Sequence, residues 1–187
     1  MKKTLYIVAG ANGSGKTTFA MTYARLKNLH FINADEIAKQ YDPRDLEKFK
    51  IKAGREFFNQ LQDNLDNNKG SFIIETTMSG KYLIKVIANA KQKMFEVVLI
   101  YLFLDDATEN ILRVKNRVLN GGHDIPIEDI KRRYIRSRKL FLSLYKDLVD
   151  KYLLFFNGDD NYELVAEDKE ILDENLYNQF LKGFKNE

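Results

Sequence analysis

The chain has no cysteine among its 187 residues, which rules out disulfides, thiolate metal sites and a cysteine nucleophile. Proline occurs only twice and no low-complexity tract interrupts the chain, so collagen-like and disordered classes are excluded as well. No apolar run approaches the ~20 residues needed to cross a bilayer, and no membrane association is expected. An excess of one charge is also missing: 30 Lys and Arg against 27 Asp and Glu leave +3. So small an imbalance argues little for nucleic acid. Histidine stands only at His30 and His123, too few and too scattered for a metal cage. What is present is ordinary globular composition, 44% hydrophobic and 30% charged, at a length that fits one domain over residues 1–187.

Short β-rich runs alternate with amphipathic stretches, the pattern of an α/β fold. Residues 4–9 read as a first strand, apolar from Leu5 onward and therefore buried on both faces. A helix over 16–26, a brief strand over 30–33 and a long helix over 46–67 follow. That last helix carries Phe49, Phe57, Phe58, Leu61 and Leu65 on its apolar side, and Gly54 weakens it. Strands over 71–75 and 96–104 flank a helix over 81–91. A helix over 108–119 stops at Gly121-Gly122, and Pro126 opens another. This second helix places Ile127, Ile130, Tyr134, Phe141, Leu144 and Leu148 on one stripe. A fifth strand over 152–156, a turn at Asn157-Gly158, a candidate antiparallel edge strand over 162–165 and a helix over 175–181 complete the chain.

The first loop carries the chemistry. Gly10-Ala11-Asn12-Gly13-Ser14-Gly15-Lys16-Thr17 matches G-x-x-x-x-G-K-[ST] in full, and Thr18 follows it. Its glycines let consecutive N–H groups face the phosphates of a nucleotide. Lys16 is expected to reach the β- and γ-phosphates, and Thr17 to offer its hydroxyl to Mg²⁺. The following helix points its positive end at the same anion. The basic start Met1-Lys2-Lys3, followed by apolar residues, also resembles a short signal peptide. Cleavage there would destroy the phosphate loop, so a cytoplasmic location is expected.

In a doubly wound sheet the C-terminal strand ends share one rim, where ligands bind. Asp35 follows the second strand, and Glu75 and Asp105 end the third and fourth, so three carboxylates are expected to approach the phosphate site. Asp35 is a reasonable base for an attacking hydroxyl, although an acid at a strand end also serves as a cap. Glu75 could bind Mg²⁺ through water or hold an acceptor hydroxyl. Asp105 reads as a helix cap. Arg113 with Arg117, and Arg132 with Arg136, lie at i,i+4 on helices separated by the double glycine. Those helices are expected to fold together as a lid over 113–138, supplying one or two arginines to the γ-phosphate while the other basic residues stay solvated. His123 could position that lid, contact substrate or cap a hinge; His30 reads as structural.

G-A-N-G-S-G-K-T-T, F-I-N-A-D-E-I-A, F-I-I-E-T-T and R-V-L-N-G-G-H-D-I-P-I-E-D-I-K-R-R-Y-I-R-S resemble the short bacterial branch of the zeta toxin kinases. The resemblance spans residues 4 to about 138. It implies the P-loop kinase fold, a three-layer sandwich around a five-stranded, mostly parallel sheet. It implies ATP and Mg²⁺ as cofactors, and phosphorylation of UDP-N-acetylglucosamine at its 3′-hydroxyl. It also implies Asp35 as the base, Arg117 and Arg133 as lid arginines that stabilise the transferred phosphoryl, and Asn33, Glu75, Thr76 and His123 on the acceptor side. An antitoxin protein is the implied partner. The competing class is a P-loop protein without kinase activity, either a nucleotide-gated interaction module or a nucleic-acid binder using the basic helix. ATP consumption that depends on an acceptor favours the kinase; steeply salt-dependent RNA or DNA binding favours the alternative.

Overall fold

The computed structural model describes residues 2–42, 45–67, 69–158 and 161–185. Its centre is β1 (Thr4–Ala9), whose apolar side chains are buried on both faces as a central parallel strand requires. Parallel neighbours β3 (Phe72–Thr76) and β4 (Glu96–Phe103) flank it, with β2 (His30–Ile32) outside β3 and β5 (Lys151–Gly158) outside β4. Beyond β5 the sheet continues through β6 (Asn161–Glu167) and β7 (Glu170–Ile171), both antiparallel to their neighbours. The register sets Ala9 beside Thr76 and Ile32 beside Ile74. That alignment delivers the ends of β1, β2 and β3 to one rim.

Helices cover both faces. On one, α1 (Lys16–Lys27) packs Ala20 and Ala24 against Val8, Ile73 and Ile100. The larger core, on the other face, takes α2 (Ala34–Tyr41), α3 (Leu46–Asp66), α4 (Leu83–Gln92) and Phe180 of the C-terminal helix Glu174–Lys185. Over the rim, α5 (Ala107–Leu119) and α6 (Ile127–Leu140) share a separate small core of Val114, Ile125 and Ile130. The two helices therefore pack on each other, as a lid requires.

Four features differ from the sequence reading. The sheet has seven strands where five and an edge strand were expected, because β7 is only two residues long and carries no periodicity. Asn157-Gly158 is not a turn; it ends β5, pairing Asn157 with Tyr162 and Gly158 with Asn161, and the connection at 159–160 lies outside the described residues. The helix α2 was not expected. Asn33 starts it, its side-chain oxygen accepting the N–H groups of Asp35 and Glu36, a cap the strand reading hid. Finally, α6 does not continue as one α-helix to Leu148. A π-helical stretch, Phe141–Tyr145, widens it, and the Tyr145 hydroxyl donates to the Gly80 carbonyl at 2.6 Å.

Candidate active site

Three side chains from distant elements hold the phosphate loop in place. The Asn110 amide of α5 donates to the Asn12 carbonyl (2.6 Å), Asn157 of β5 to the Ser14 carbonyl (3.0 Å), and the Tyr162 hydroxyl of β6 to the Gly15 carbonyl (3.1 Å). Two glycines make this clamp sterically feasible. A Cβ on Gly13, at φ +81°, would run into the Asn110 carbonyl, and one on Gly15, at φ +86°, into the Asn157 amide. Ala11 and Ser14 are buried, with the Ser14 hydroxyl beneath the loop rather than in the cleft. Asn12, Gly13, Gly15, Lys16, Thr17 and Thr18 line the cleft itself. Lys16 is only 6% exposed and donates to the Ala11 carbonyl at 2.7 Å. Burial pushes its pKa down, and the Glu75 carboxylate 4.0 Å away opposes that shift.

Glu75 ends β3 and is gripped from several sides. Asn33 donates to its Oε2, and the Thr17 hydroxyl to its Oε1 at 3.1 Å. Desolvation raises its pKa against the pull of Lys16 and these two donors. Asn33 thus both caps α2 and orients Glu75. Asp35, in the first turn of α2, lines the same cleft. Asp105 does not line it. It is exposed, and the cap of α5 is its neighbour Asp106, which accepts the N–H groups of Thr108 and Glu109. Two of the three expected carboxylates therefore meet the phosphate loop.

The arginines sort clearly. Arg113, Arg117 and Arg133 line the cleft. Arg113 is tied to Glu109 (2.8 Å) and to the Asn157 carbonyl (2.9 Å). Arg117 lies over Gly122 and donates to the His123 carbonyl at 2.7 Å, which ties the end of α5 to the loop that follows it. Arg133 bonds Asn12 Oδ1 at 3.0 Å, joining α6 to the phosphate loop. Arg132 pairs with Asp129 at 2.9 Å at the surface, and Arg136 is exposed outside the cleft. Arg138, expected to be solvated, is 1% exposed. Its guanidinium donates to the carbonyls of Leu104 and Phe180 and lies over the Tyr134 ring at 4.2 Å. Burial pushes its pKa down, with Tyr134 opposing. The 131–139 run is therefore not a continuous solvated stripe.

The opposite wall was not foreseen. Lys50, Gly54, Phe57 and Phe58 of α3 face Thr77, Ser79 and Tyr82 across a cleft of about 930 Å³. Thr76 organises that far loop by accepting the Met78 N–H (3.0 Å) and the Tyr82 hydroxyl (2.8 Å). Met78 holds a left-handed backbone at φ +51° with its side chain fully buried, a strained anchor that fixes the loop. Sequence signals for these residues were weak. Asn110 could have been found as a polar residue on the apolar stripe of α5, one turn before Val114, whereas Asn157 was concealed by its turn-like glycine neighbour.

Among the described residues no group of three or more His, Asp or Glu gathers as a metal cage. Thr17 and Glu75 nevertheless set two hard oxygen donors 3.1 Å apart beside the phosphate loop, a pair that suits Mg²⁺. No helix among the described residues is long and apolar enough to cross a membrane.

The zeta toxin family model matches residues 1–170. An uncharacterised Haemophilus influenzae protein is 32% identical over 134 residues, covering 72% of this chain and 94% of its own. Among solved structures, the PezAT chromosomal toxin–antitoxin system of Streptococcus pneumoniae superimposes with a TM-score of 0.65 at 16% identity, covering all of this chain and 80% of that one. The AvrRxo1-ORF1:ORF2 complex with ATP superimposes at 0.72 and 18% identity, over 96% of this chain and 63% of that one. At these identities the structures speak for the fold, and the family match speaks for kinship. The chain belongs to the zeta toxin family and has the fold of a P-loop kinase.

Proposed function

We propose that this chain, acting as one kinase domain with a lid over 113–138, transfers the γ-phosphoryl of ATP to a hydroxyl of a small molecule. The acceptor we assign is the 3′-hydroxyl of UDP-N-acetylglucosamine. One observation carries the reading: Lys16, Asp35, Glu75, Arg117 and Arg133, from five separate elements, line a single cleft. Asp35 takes the acceptor proton as the acceptor oxygen bonds to phosphorus and the bond to the β-phosphate oxygen breaks, leaving ADP. Lys16, Arg117 and Arg133 answer the charge on the transferring group. Thr17 and Glu75 would hold Mg²⁺ beside the phosphates, and the bound ion would supply positive charge to offset theirs.

We further assign it a cytoplasmic location and an antitoxin protein as partner; the partner is supported by the likeness to PezAT, a toxin–antitoxin system, and to AvrRxo1-ORF1, solved in complex with ORF2. A nucleic-acid role has less support, because Lys131, Arg132 and Arg133 are paired with Glu128 and Asp129 and Arg138 is buried. Incubating the protein with labelled ATP and a panel of nucleotide sugars, NAD and nucleosides, read by mass, tests the assignment. The expected product is UDP-N-acetylglucosamine heavier by one phosphoryl, formed one-to-one with ADP. ATP consumption independent of every acceptor would overturn the kinase reading.

A further inference from the structure

Helix α3 contains a glycine that neither its backbone nor its packing requires. Gly54 lies in the interior of a 21-residue helix, where glycine is the least favourable ordinary residue after proline. It has no left-handed φ, and a Cβ built on it would meet no atom within 4 Å. The missing side chain opens instead onto the cleft. Lys50 lies one turn before it and Phe57 and Phe58 one turn after, so helical spacing sets all four on one stripe. Facing them, Tyr82 meets Phe58 edge-on, with ring centroids 5.6 Å apart at 85°. Phe58 is 47% and Tyr82 38% exposed, yet both are held, Phe58 by an edge contact with Phe57 and Tyr82 by its bond to Thr76. The unfilled notch at Gly54 opens into the cleft beside the touching Phe58 and Tyr82 rings, which form one border of a slot.

We propose that Gly54 is a specificity-determining residue, its missing side chain opening a slot, bordered by Phe57, Phe58 and Tyr82, for a planar ring of nucleobase size on the phosphoryl acceptor. This rests on the kinase reading above. Aromatic edges and faces favour a flat π-system over a saturated ring of equal volume. The Lys50 ammonium on the same stripe suits an anionic group attached to that ring. A helix interior keeps its glycine at a cost in stability because a side chain there would occupy the substrate's place.

The test compares wild type, Gly54→Ala, Gly54→Leu and Phe58→Ala, each saturated with β,γ-imido-ATP so that the nucleotide site is filled. Uridine, UDP and UDP-N-acetylglucosamine are the probes, read by thermal melting with the imido-ATP bound and, for the last, by turnover with ATP in place of the analogue. Gly54→Ala without ligand should melt about 2–4 °C higher, since a better helix former meets no clash. Shifts induced by UDP should shrink in Gly54→Ala and vanish in Gly54→Leu, while the imido-ATP shift persists in both. The KM for the acceptor should rise about tenfold or more in Gly54→Leu, and also rise in Phe58→Ala, which keeps the test available if the leucine variant does not fold. A Gly54→Leu protein that binds UDP like wild type, or a wild type blind to all three probes, overturns the slot. Transfer to a ringless acceptor would sink the slot and keep the kinase reading. Ring probes that bind and are displaced in Gly54→Leu, without transfer to any acceptor, would keep the slot and sink the kinase.

Discussion

The two walls of the cleft are built on opposite principles. On the phosphate side nearly everything is buried and fastened: Lys16, Ser14, Asn110 and Asn157 are all shielded, and three side chains clamp loop carbonyls from α5, β5 and β6. The opposite side presents the partly exposed rings of Phe58 and Tyr82 and an open notch at Gly54. Phosphoryl transfer changes charge, and charges stabilise a transition state best when their positions are set beforehand in a dry site. Acceptor choice is a matter of shape, which exposed side chains can alter without disturbing the fold. On the proposed reading, the chemistry therefore sits on the buried wall and selectivity on the more exposed one.

Breaking the phosphate wall should give the largest effect. Lys16→Ala removes the charge aimed at the β- and γ-phosphates, and transfer should fall by about 10³-fold or more, with weaker ATP binding. Near wild-type turnover in the purified variant would contradict the phosphate-loop assignment. Asp35 lines the same cleft, and Asp35→Asn keeps its shape while removing the proposed proton acceptor. The turnover rate should drop roughly 10²–10⁴-fold with nucleotide affinity almost unchanged. Lost Mg·ATP affinity would instead make Asp35 a metal ligand. A melting temperature lowered with turnover intact would make it a cap. Single-turnover rate, nucleotide affinity and melting on one preparation separate the three.

Arg133 sharpens the comparison from the lid. Its guanidinium already touches the phosphate loop through Asn12. Arg133→Ala should therefore lower kcat by about 10²-fold while the KM for ATP changes far less, the mark of an interaction made in the transition state. An effect confined to KM would place Arg133 among the ground-state anchors. Arg136→Ala, outside the cleft and exposed, should leave both constants near wild type.

The difference between the walls also explains what could be read from the sequence. The phosphate loop is local: eight consecutive residues specify its curl, its anion and its place between strand and helix, so β1, the loop and α1 were legible to within a residue or two. Asp35 and Glu75 were legible because parallel strands must end on one rim. The acceptor wall joins α3 to a loop some twenty residues later, and nothing in Gly54 or Phe58 distinguishes a cleft residue from a core one. Phe57 and Phe58 were both assigned to the core, yet Phe57 alone is buried. Arg138 failed for the reverse reason. It follows four basic residues in a seven-residue stretch, so pattern made it a surface charge, and only the carbonyls at the end of β4 and the rings around it reveal a buried one.

The smallest effect asks whether the phosphate wall carries an electrostatic cost to stability, and Glu75 answers it. Burial holds its folded pKa above the ordinary 4.5. A carboxyl raised on folding contributes stability that is fully present below its unfolded pKa and is lost as pH climbs through the folded value. Wild type should thus lose stability from this group as pH rises above about 4.5, and Glu75→Gln, which cannot titrate, should not. Removing the carboxylate also strips Lys16 of its main counter-charge, which pushes the Lys16 pKa further down. For a base so lowered, stability is lost as pH falls through the folded value and returns as pH rises, so this second effect has the same sign. The melting temperature of Glu75→Gln minus that of wild type should therefore grow with pH from 4.5 upward, whatever the offset between the two proteins. A change of order 1 kcal/mol corresponds to about 2–4 °C for a domain of this size. Paired melts from pH 4.5 to 7.5 measure it. A difference that stays flat across that range would mean that Glu75 titrates as an ordinary surface carboxylate and that the phosphate wall is not strained by the charges it holds.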